Sequence, residues 1–132
     1  MSQFGVQLHS RSHTKAAGNG KKRIKFRDKR RSEIGSYFSA TKMSENNAFR
    51  AHRKRGGAVS MVLKSAGYVN LLTKQGYKKA KIKGVLESKD NRNFARQNII
   101  TKGTIINTEM GRAKVTNRPG REGSVNALLL EA

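Results

Sequence analysis

Residues 98–130 read NIITKGTIINTEMGRAKVTNRPGREGSVNALLL, a stretch in which short apolar runs are separated by turn residues. From Arg112 to Thr116 the residues alternate strictly between polar and apolar, with Ala113 and Val115 on one face. Successive side chains of a strand point to opposite faces of the sheet, so this period of two predicts a half-buried strand.

A turn and a second alternating run follow this strand. Residues 117–120, Asn-Arg-Pro-Gly, are a strong turn signal because proline presets one turn dihedral and glycine accepts positive φ. The last run alternates again, with Val125, Ala127 and Leu129 on one face. The pattern as a whole predicts an antiparallel meander. One residue from each run is expected in a common core: Ile105, Val115 and Val125.

Earlier parts of the chain predict further strands and one short helix. The expected strands cover residues 59–64, 68–72 and 81–87. The side chains expected on the inner faces of the first two are Val59, Met61, Leu63, Val69 and Leu71. Residues 88–97 begin with capping residues and continue with helix-tolerant ones, which predicts one or two helical turns held in place by Phe94.

Charge is the property that most restricts the possible functions. The chain carries 29 Lys and Arg residues against 8 Asp and Glu, a formal net charge of +21 at pH 7. Self-repulsion of this size opposes a compact monomer unless a polyanion neutralises it, and nucleic acid is the usual polyanion. There is no apolar run of membrane-spanning length and no basic-then-apolar leader, so we expect neither membrane insertion nor secretion.

The densest cluster of positive charge is residues 21–31, where eight of eleven positions are Lys or Arg. Ile24 and Phe26 interleave with these cations. A run of this kind is either a solvated charged segment or a phosphate-binding arm. The density of cations and the lack of compensating acids favour the arm.

Composition divides the chain into two regions. Residues 1–55 hold fifteen Lys or Arg and three acids and lack a sustained apolar period. Such a segment cannot bury enough apolar surface to offset its ordering entropy, so we expect residues 11–55 to be disordered without a partner. We predict a basic, RNA-penetrating extension over residues 1–55 and a folded domain over residues 56–132. Gly56 and Gly57 would form the hinge between them.

No arrangement of residues indicates catalysis or metal binding. His9 and His13 have a spacing that would suit two ligands on a helix, but the further ligands that a zinc site needs are missing nearby. The eight acids are scattered among cations and not paired. With no Cys, disulfides and thiolate metal sites are excluded. We predict that the protein is not an enzyme and uses no cofactor, metal or small-molecule substrate.

Two motifs connect the sequence with a known family. NIITKG at residues 98–103 is followed by VTNRPG at residues 115–120, within a similarity that is close from Asn93 to Leu130. Arg55-Gly56-Gly57 and the basic runs GNGKKR and KRRSEIG add support. In these segments the chain resembles the archaeal and eukaryotic-type small-subunit ribosomal protein eight family.

The resemblance implies an all-β fold, a small antiparallel β-barrel with a short helix and a long basic N-terminal extension. It also implies a cytoplasmic location in the ribosome, with small-subunit rRNA and neighbouring small-subunit proteins as partners. RNA binding would release counterions and read shape, phosphates and 2′-hydroxyls, because an A-form helix hides its major groove. The residues expected to contact RNA are Arg11, Lys15, Lys21, Lys22, Arg23, Lys25, Arg27, Lys29, Arg30, Arg31, Arg53, Lys54, Arg55, Arg92, Arg96, Lys102 and Arg118.

Two other classes of protein share part of this pattern. A nucleoid or chromatin protein would have the same charge but would also bind duplex DNA. A cationic membrane-surface protein would need an amphipathic helix with a strong apolar face, which residues 1–55 do not show. Tyr37 and Phe38 fit either base stacking or packing, whereas Tyr68 fits packing better.

Overall fold

The computed structural model describes residues 18–21, 35, 37–54 and 56–130, and the chain divides into two compact units, Met1–Phe38 and Ser39–Ala132. Every helix and strand of the described residues lies in the second unit. The strands are β1 Lys42–Met43, β2 Ala48–Arg53, β3 Val59–Ala66, β4 Tyr68–Thr73, β5 Gly76–Glu87, β6 Ile105–Thr108, β7 Gly111–Val115 and β8 Asn126–Leu129. The helices are α1 Arg92–Arg96 and α2 Pro119–Glu122.

Strands β4 to β8 form a closed five-stranded barrel. Each strand is antiparallel to the next along the chain, which confirms the predicted all-β barrel and its meander. The barrel closes where β8 lies parallel to β4, with Leu71 opposite Ala127. Closure gives both edges of these strands a hydrogen-bonding partner, so the barrel leaves no open sheet edge.

The remaining strands form a small sheet in the order β1-β3-β2. Strand β3 continues into β4 through Gly67, and the corner is fixed by side-chain and backbone hydrogen bonds. The Asn47 side-chain oxygen accepts from the backbone N–H groups of Gly67 at 2.8 Å and Tyr68 at 3.3 Å. The Ser44 N–H donates to the Ala66 carbonyl at 3.0 Å. The β1–β2 connection is therefore held against the start of the barrel.

The core is apolar and draws on both sheets. Buried threonines at its margin have hydrogen-bond partners: Thr41 Oγ1 donates to the Leu63 carbonyl at 2.7 Å, and Thr108 Oγ1 donates to the Gly111 carbonyl at 2.7 Å. The clustered core residues are Leu63, Ala66, Val69, Leu71, Ala80, Ile82, Ile100, Ile106, Ala113, Val115, Val125 and Ala127. Within the described part of the chain, no helix is both long enough and apolar enough to cross a bilayer.

Several predictions of local structure are confirmed. Ala113 and Val115 are buried while Arg112, Lys114 and Thr116 are exposed, as the alternation predicts. Val69, Leu71 and Val125 are also buried. The predicted helical segment contains α1, whose N-cap Asn91 accepts a hydrogen bond from the Asn93 N–H at 2.9 Å.

The prediction that Ile105 is buried is wrong, because Ile106 takes that place with no exposed surface. The inward face of β6 consists of Ile106 between two buried threonines, Thr104 and Thr108. The hydroxyl of each threonine is hydrogen-bonded, so each is stable in the core despite its polarity. The apolar pattern alone does not show that Ile106 is the buried isoleucine, because its neighbours on the inward face are polar threonines.

The predicted inner face of β3 is also only partly correct. Leu63 is fully buried, but Val59 and Met61 on the same face are 61% and 52% exposed. Strand β3 extends beyond the core at its N-terminal end, where only β2 pairs with it along residues 59–62. An apolar residue on a strand that leaves the core looks the same in sequence as one that enters it.

The Asn-Arg-Pro-Gly turn is the beginning of a helix. Pro119 lies in the first turn of α2, where its missing N–H costs no hydrogen bond. The helix ends at Gly123, whose φ of 74° is the left-handed conformation typical of a glycine cap.

Residues 42–53 supply two strands, so the expectation of disorder is wrong for this part of residues 11–55. Strand β2 pairs with β3 from Ala48 to Arg53. The segment with Gly56 and Gly57 is the turn of that hairpin and not a hinge between two regions, and both glycines have positive φ. The rest of the expectation falls mainly on residues outside the described ranges.

Candidate nucleic-acid interface

The predicted RNA-binding residues fall into two groups. Seven lie in the described part of the chain: Lys21, Arg53, Lys54, Arg92, Arg96, Lys102 and Arg118. The other ten lie outside it: Arg11, Lys15, Lys22, Arg23, Lys25, Arg27, Lys29, Arg30, Arg31 and Arg55. All seven described residues are exposed, so each is accessible to a polyanion.

Lys102 and Arg118 lie in two turns at the same end of the barrel. The Gly103 N–H, next to Lys102, donates to the carbonyl of Val115, the last residue of β7, at 2.8 Å. Arg118 follows that strand as the N-cap of α2. Gly103 has a φ of 83°, a conformation that favours glycine, and it keeps the Lys102 turn tight. The structure therefore brings these two predicted residues to one region.

Arg92 and Arg96 occupy the two ends of α1. A spacing of four residues places them on the same side of the helix. Asn98 follows with a φ of 52°, its carbonyl accepts from the Met43 N–H at 2.9 Å, and its side-chain oxygen accepts from the Val85 N–H at 3.4 Å. The helix and its two arginines are thus attached to both sheets of the unit.

A row of lysines along β5 forms a further basic surface, and none of these lysines is among the predicted RNA-binding residues. Lys79, Lys81 and Lys83 are exposed and alternate with the buried Ala80 and Ile82. Because strand side chains alternate between faces, the three lysines project from the outer surface of the barrel. The run KKAKIKG contains this signal, since its lysines recur at every second position.

Polar and aromatic groups from the neighbouring strands lie beside these lysines. Tyr68 pairs with Lys81 and Asn70 pairs with Lys79. The Lys79 ammonium nitrogen lies 4.6 Å from the centre of the Tyr68 ring, within the range of a cation–π contact. The Asn70 amide donates to the Asn126 side-chain oxygen across β4 and β8 at 3.0 Å. We call Lys79, Lys81, Lys83, Tyr68, Asn70 and Asn126 the β4–β5 face.

The β4–β5 face has the chemistry of a surface for nucleic acid. Ammonium groups neutralise phosphates, and amide groups both donate to and accept from hydroxyls. Residues 46–86 contain no Asp or Glu, and the acid beside this face is Glu109, whose side-chain oxygen accepts from the Lys81 N–H at 3.5 Å. The cations of the segment are Arg50, Arg53, Lys54, Arg55, Lys64, Lys74, Lys78, Lys79, Lys81 and Lys83.

The fold and these surfaces define a class: a small, strongly basic β-barrel protein with a cation-rich outer sheet face. Residues 9–130 match the model of the family described as ribosomal protein S8e. The chain belongs to the ribosomal protein S8e family, which confirms the resemblance identified in the sequence. As a member of that family it is a structural protein and not an enzyme.

Curated archaeal proteins are similar over most of the chain. The small ribosomal subunit protein eS8 of Sulfolobus acidocaldarius is 48% identical over 84% of this chain and 88% of its own length. The protein of the same name from Sulfurisphaera tokodaii is 44% identical over 85% of this chain and 89% of its own length. The protein of the same name from Nanoarchaeum equitans is 41% identical over 80% of this chain and 84% of its own length.

Proposed function

We propose that the protein is a structural component of the small ribosomal subunit in the cytoplasm and binds small-subunit rRNA by neutralising phosphates. The relatives at 44–48% identity carry the name of a small-subunit protein, which supports this assignment. Neighbouring small-subunit proteins are its further partners. The binding mode is shape recognition through phosphates and 2′-hydroxyls, since side chains do not reach the bases of an A-form major groove.

The β4–β5 face is the observation that carries the proposal. Lys79 and Lys81 are fixed in spacing because they alternate with core residues of β5, and Lys83 follows in the β-bulge between Ile82 and Gly84. Lysines two residues apart on a regular strand are about 7 Å apart, so their flexible side chains can reach neighbouring phosphates of one RNA strand. A strand of RNA laid along β5 would meet an ammonium group at each step and the Asn70 amide beside it.

The turns and the N-terminal extension complete the proposed contact surface. Lys102 and Arg118 place charge beside tight turns at one end of the barrel, where the backbone comes close to a partner. Residues 1–55 act as the RNA-penetrating region and residues 56–132 as the barrel domain, with β1 and β2 as folded parts of the former. The cations at 21–31 then contact phosphate directly.

Binding to small-subunit rRNA across a salt series tests the proposal. Each neutralised phosphate contributes roughly 0.7–0.9 to the slope of log affinity against log salt. Replacing Lys79 and Lys83 with Gln should flatten the slope by about 1.5 units. The matched control replaces Arg112 and Lys114 with Gln, which removes the same charge from β7, and should change the slope less.

Two results would overturn the proposal. Equal affinity for duplex DNA and for rRNA would identify a general nucleic-acid binder of the nucleoid type. Equal flattening by the β5 and β7 variants would show that total charge, and not the β4–β5 face, determines binding.

A further inference from the structure

Strand β2 and the first half of β3 form a two-stranded ribbon, residues 48–62, that lies outside the core. All six residues of β2 are exposed, so no described residue covers either of its faces. Among the described residues β2 pairs only with β3, so its other edge is open. We refer to this hairpin as the β2–β3 ribbon.

The register gives the ribbon two different faces. One face carries Phe49, Ala51, Val59 and Met61, with Arg53 opposite Val59 at its outer end, and Phe49 is 50% exposed. The opposite face carries Arg50 and His52 with Ser60 and Val62. Arg53 and Lys54 lie at the turn. One face of the ribbon is therefore apolar as far as Arg53, the other carries Arg50 and His52, and the tip is basic.

The base and the turn of the ribbon are both held in place. At the base, Leu63 is buried and its carbonyl accepts the Thr41 hydroxyl at 2.7 Å. Midway, Gly123 of the α2 cap approaches so closely that an added Cβ would lie 3.1 Å from the Met61 carbonyl oxygen. At the turn, the Lys54 N–H donates to the Ala58 carbonyl at 2.7 Å. The ribbon is therefore already folded before a partner binds to it.

An uncovered apolar face beside an open strand edge is a site for aggregation unless a partner covers it. Charge identifies the partner. The ribbon and the rest of residues 46–86 contain no acid, and the ribbon carries Arg50, Arg53 and Lys54. The minor groove of double-helical RNA complements this combination, because phosphates border it and riboses, with C–H groups beside their 2′-hydroxyls, line it.

We propose that the β2–β3 ribbon lies in the minor groove of an RNA double helix. Its apolar face packs on the riboses, and the cations at its turn and opposite face reach the phosphates that border the groove. The A-form minor groove is wide and shallow, so a two-stranded ribbon enters it, whereas the deep, narrow major groove excludes it. This inference rests on the proposed rRNA binding and specifies which element reads double-stranded RNA.

Substitution of the apolar face provides the first test. Phe49→Ser with Met61→Ser should weaken binding to small-subunit rRNA by roughly tenfold to a hundredfold. The salt slope should stay unchanged, because apolar contacts release no counterions. The control is Met110→Ser with Leu130→Ser, two partly exposed apolar residues outside the ribbon and the β4–β5 face, which should leave the affinity unchanged. Thermal unfolding establishes that both variants are folded.

Site-directed cleavage provides the second test and remains informative if the serine variant fails to fold. The chain contains no Cys, so Ala51→Cys gives a single attachment point for an iron chelate that generates hydroxyl radicals. In the complex with small-subunit rRNA, cuts should fall on both strands of one helix, each displaced towards the 3′ end as a source in the minor groove requires. Met110→Cys, in the turn between β6 and β7, is the control position.

The outcomes separate this inference from the proposed function. If wild-type protein binds rRNA with the expected salt slope but the ribbon variant binds equally well, the ribbon proposal is overturned and the proposed function stands. Cuts confined to single strands, or displaced towards the 5′ ends, also overturn it. A serine variant that binds rRNA normally but is lost from assembled subunits would indicate a protein occupant instead of RNA. Absence of rRNA binding by wild-type protein would overturn both proposals.

Discussion

The carbonyl oxygen of Glu45 occupies the space into which a side chain on Gly67 would project. Gly67 therefore has to be glycine for reasons of space, since it is not among the glycines with positive φ. Gly67→Ala should lower the free energy of unfolding by about 1–3 kcal/mol, because backbone and not a flexible side chain must move. Denaturant unfolding measures the loss.

A second glycine provides the matched control for Gly67. Gly84 lies in the same barrel, in β5, and an added Cβ would meet no atom within 4 Å. Gly84→Ala should change the free energy of unfolding by less than about 0.5 kcal/mol. Equal effects of the two substitutions would show that the corner at Gly67 is not tightly packed.

Val115 tests the assignment of the barrel interior. It is 1% exposed, so Val115→Asp would place an unpaired carboxylate in the core. The loss should be at least about 3 kcal/mol, enough to unfold a small domain. Lys114→Asp introduces the same residue at the preceding, exposed position of β7 and should leave the melting temperature nearly unchanged. A cooperatively melting Val115→Asp protein with normal stability would contradict the assignment.

Thr104 tests the contribution of a buried hydroxyl. Its Oγ1 accepts from the Thr101 N–H at 3.1 Å and lies 2.9 Å from the Thr101 hydroxyl. Thr104→Val keeps the shape but leaves a buried N–H without its partner, which should cost about 1–3 kcal/mol. Thr116→Val removes an exposed hydroxyl, which water replaces, and is the control for thermal melting. A neutral Thr104→Val would mean that water reaches the site.

The basic cluster at residues 21–31 should supply much of the salt dependence of RNA binding. If about half of its eight cations contact phosphate, deleting it should flatten the slope by roughly 3 units. Replacing both Lys102 and Arg118 with Gln should change the slope by about 2 units at most. The same rRNA titrations measure both effects. An unchanged slope after the deletion would identify the cluster as a solvated charge run.

The sequence predicts those parts of the fold in which one residue pattern has one structural meaning. Ala113 and Val115 alternate with charged residues, and a half-buried strand is the simple explanation. The choice between Ile105 and Ile106 needs the hydrogen bonds of Thr104 and Thr108, which only the folded chain supplies. Val59 is as apolar as a core residue, but it lies where β3 extends beyond the core. The sequence alone therefore does not show that it is exposed.

The candidate interface, too, is predicted only where a local sequence pattern indicates it. Lys102 and Arg118 are both among the predicted RNA-binding residues, and they do share one end of the barrel. Local density of positive charge does not single out the β5 lysines, because apolar residues separate them in the sequence. They come together on one face only when the strand forms. The Asn70–Asn126 pair joins residues far apart in sequence, so no local pattern predicts it.

The parallel pairing of β4 with β8 also affects the order in which the chain folds during synthesis. Strand β5 begins a few residues after β4 ends, but the other neighbour of β4, strand β8, begins only at Asn126. Long-range pairing of this kind makes folding slow, because distant segments must meet before the contact forms. Until β8 has been synthesised, β4 and β7 both present open edges to other nascent chains. The nascent chain is therefore exposed to mispairing until β8 is made, and pairing of β8 with β4 and β7 ends that exposure.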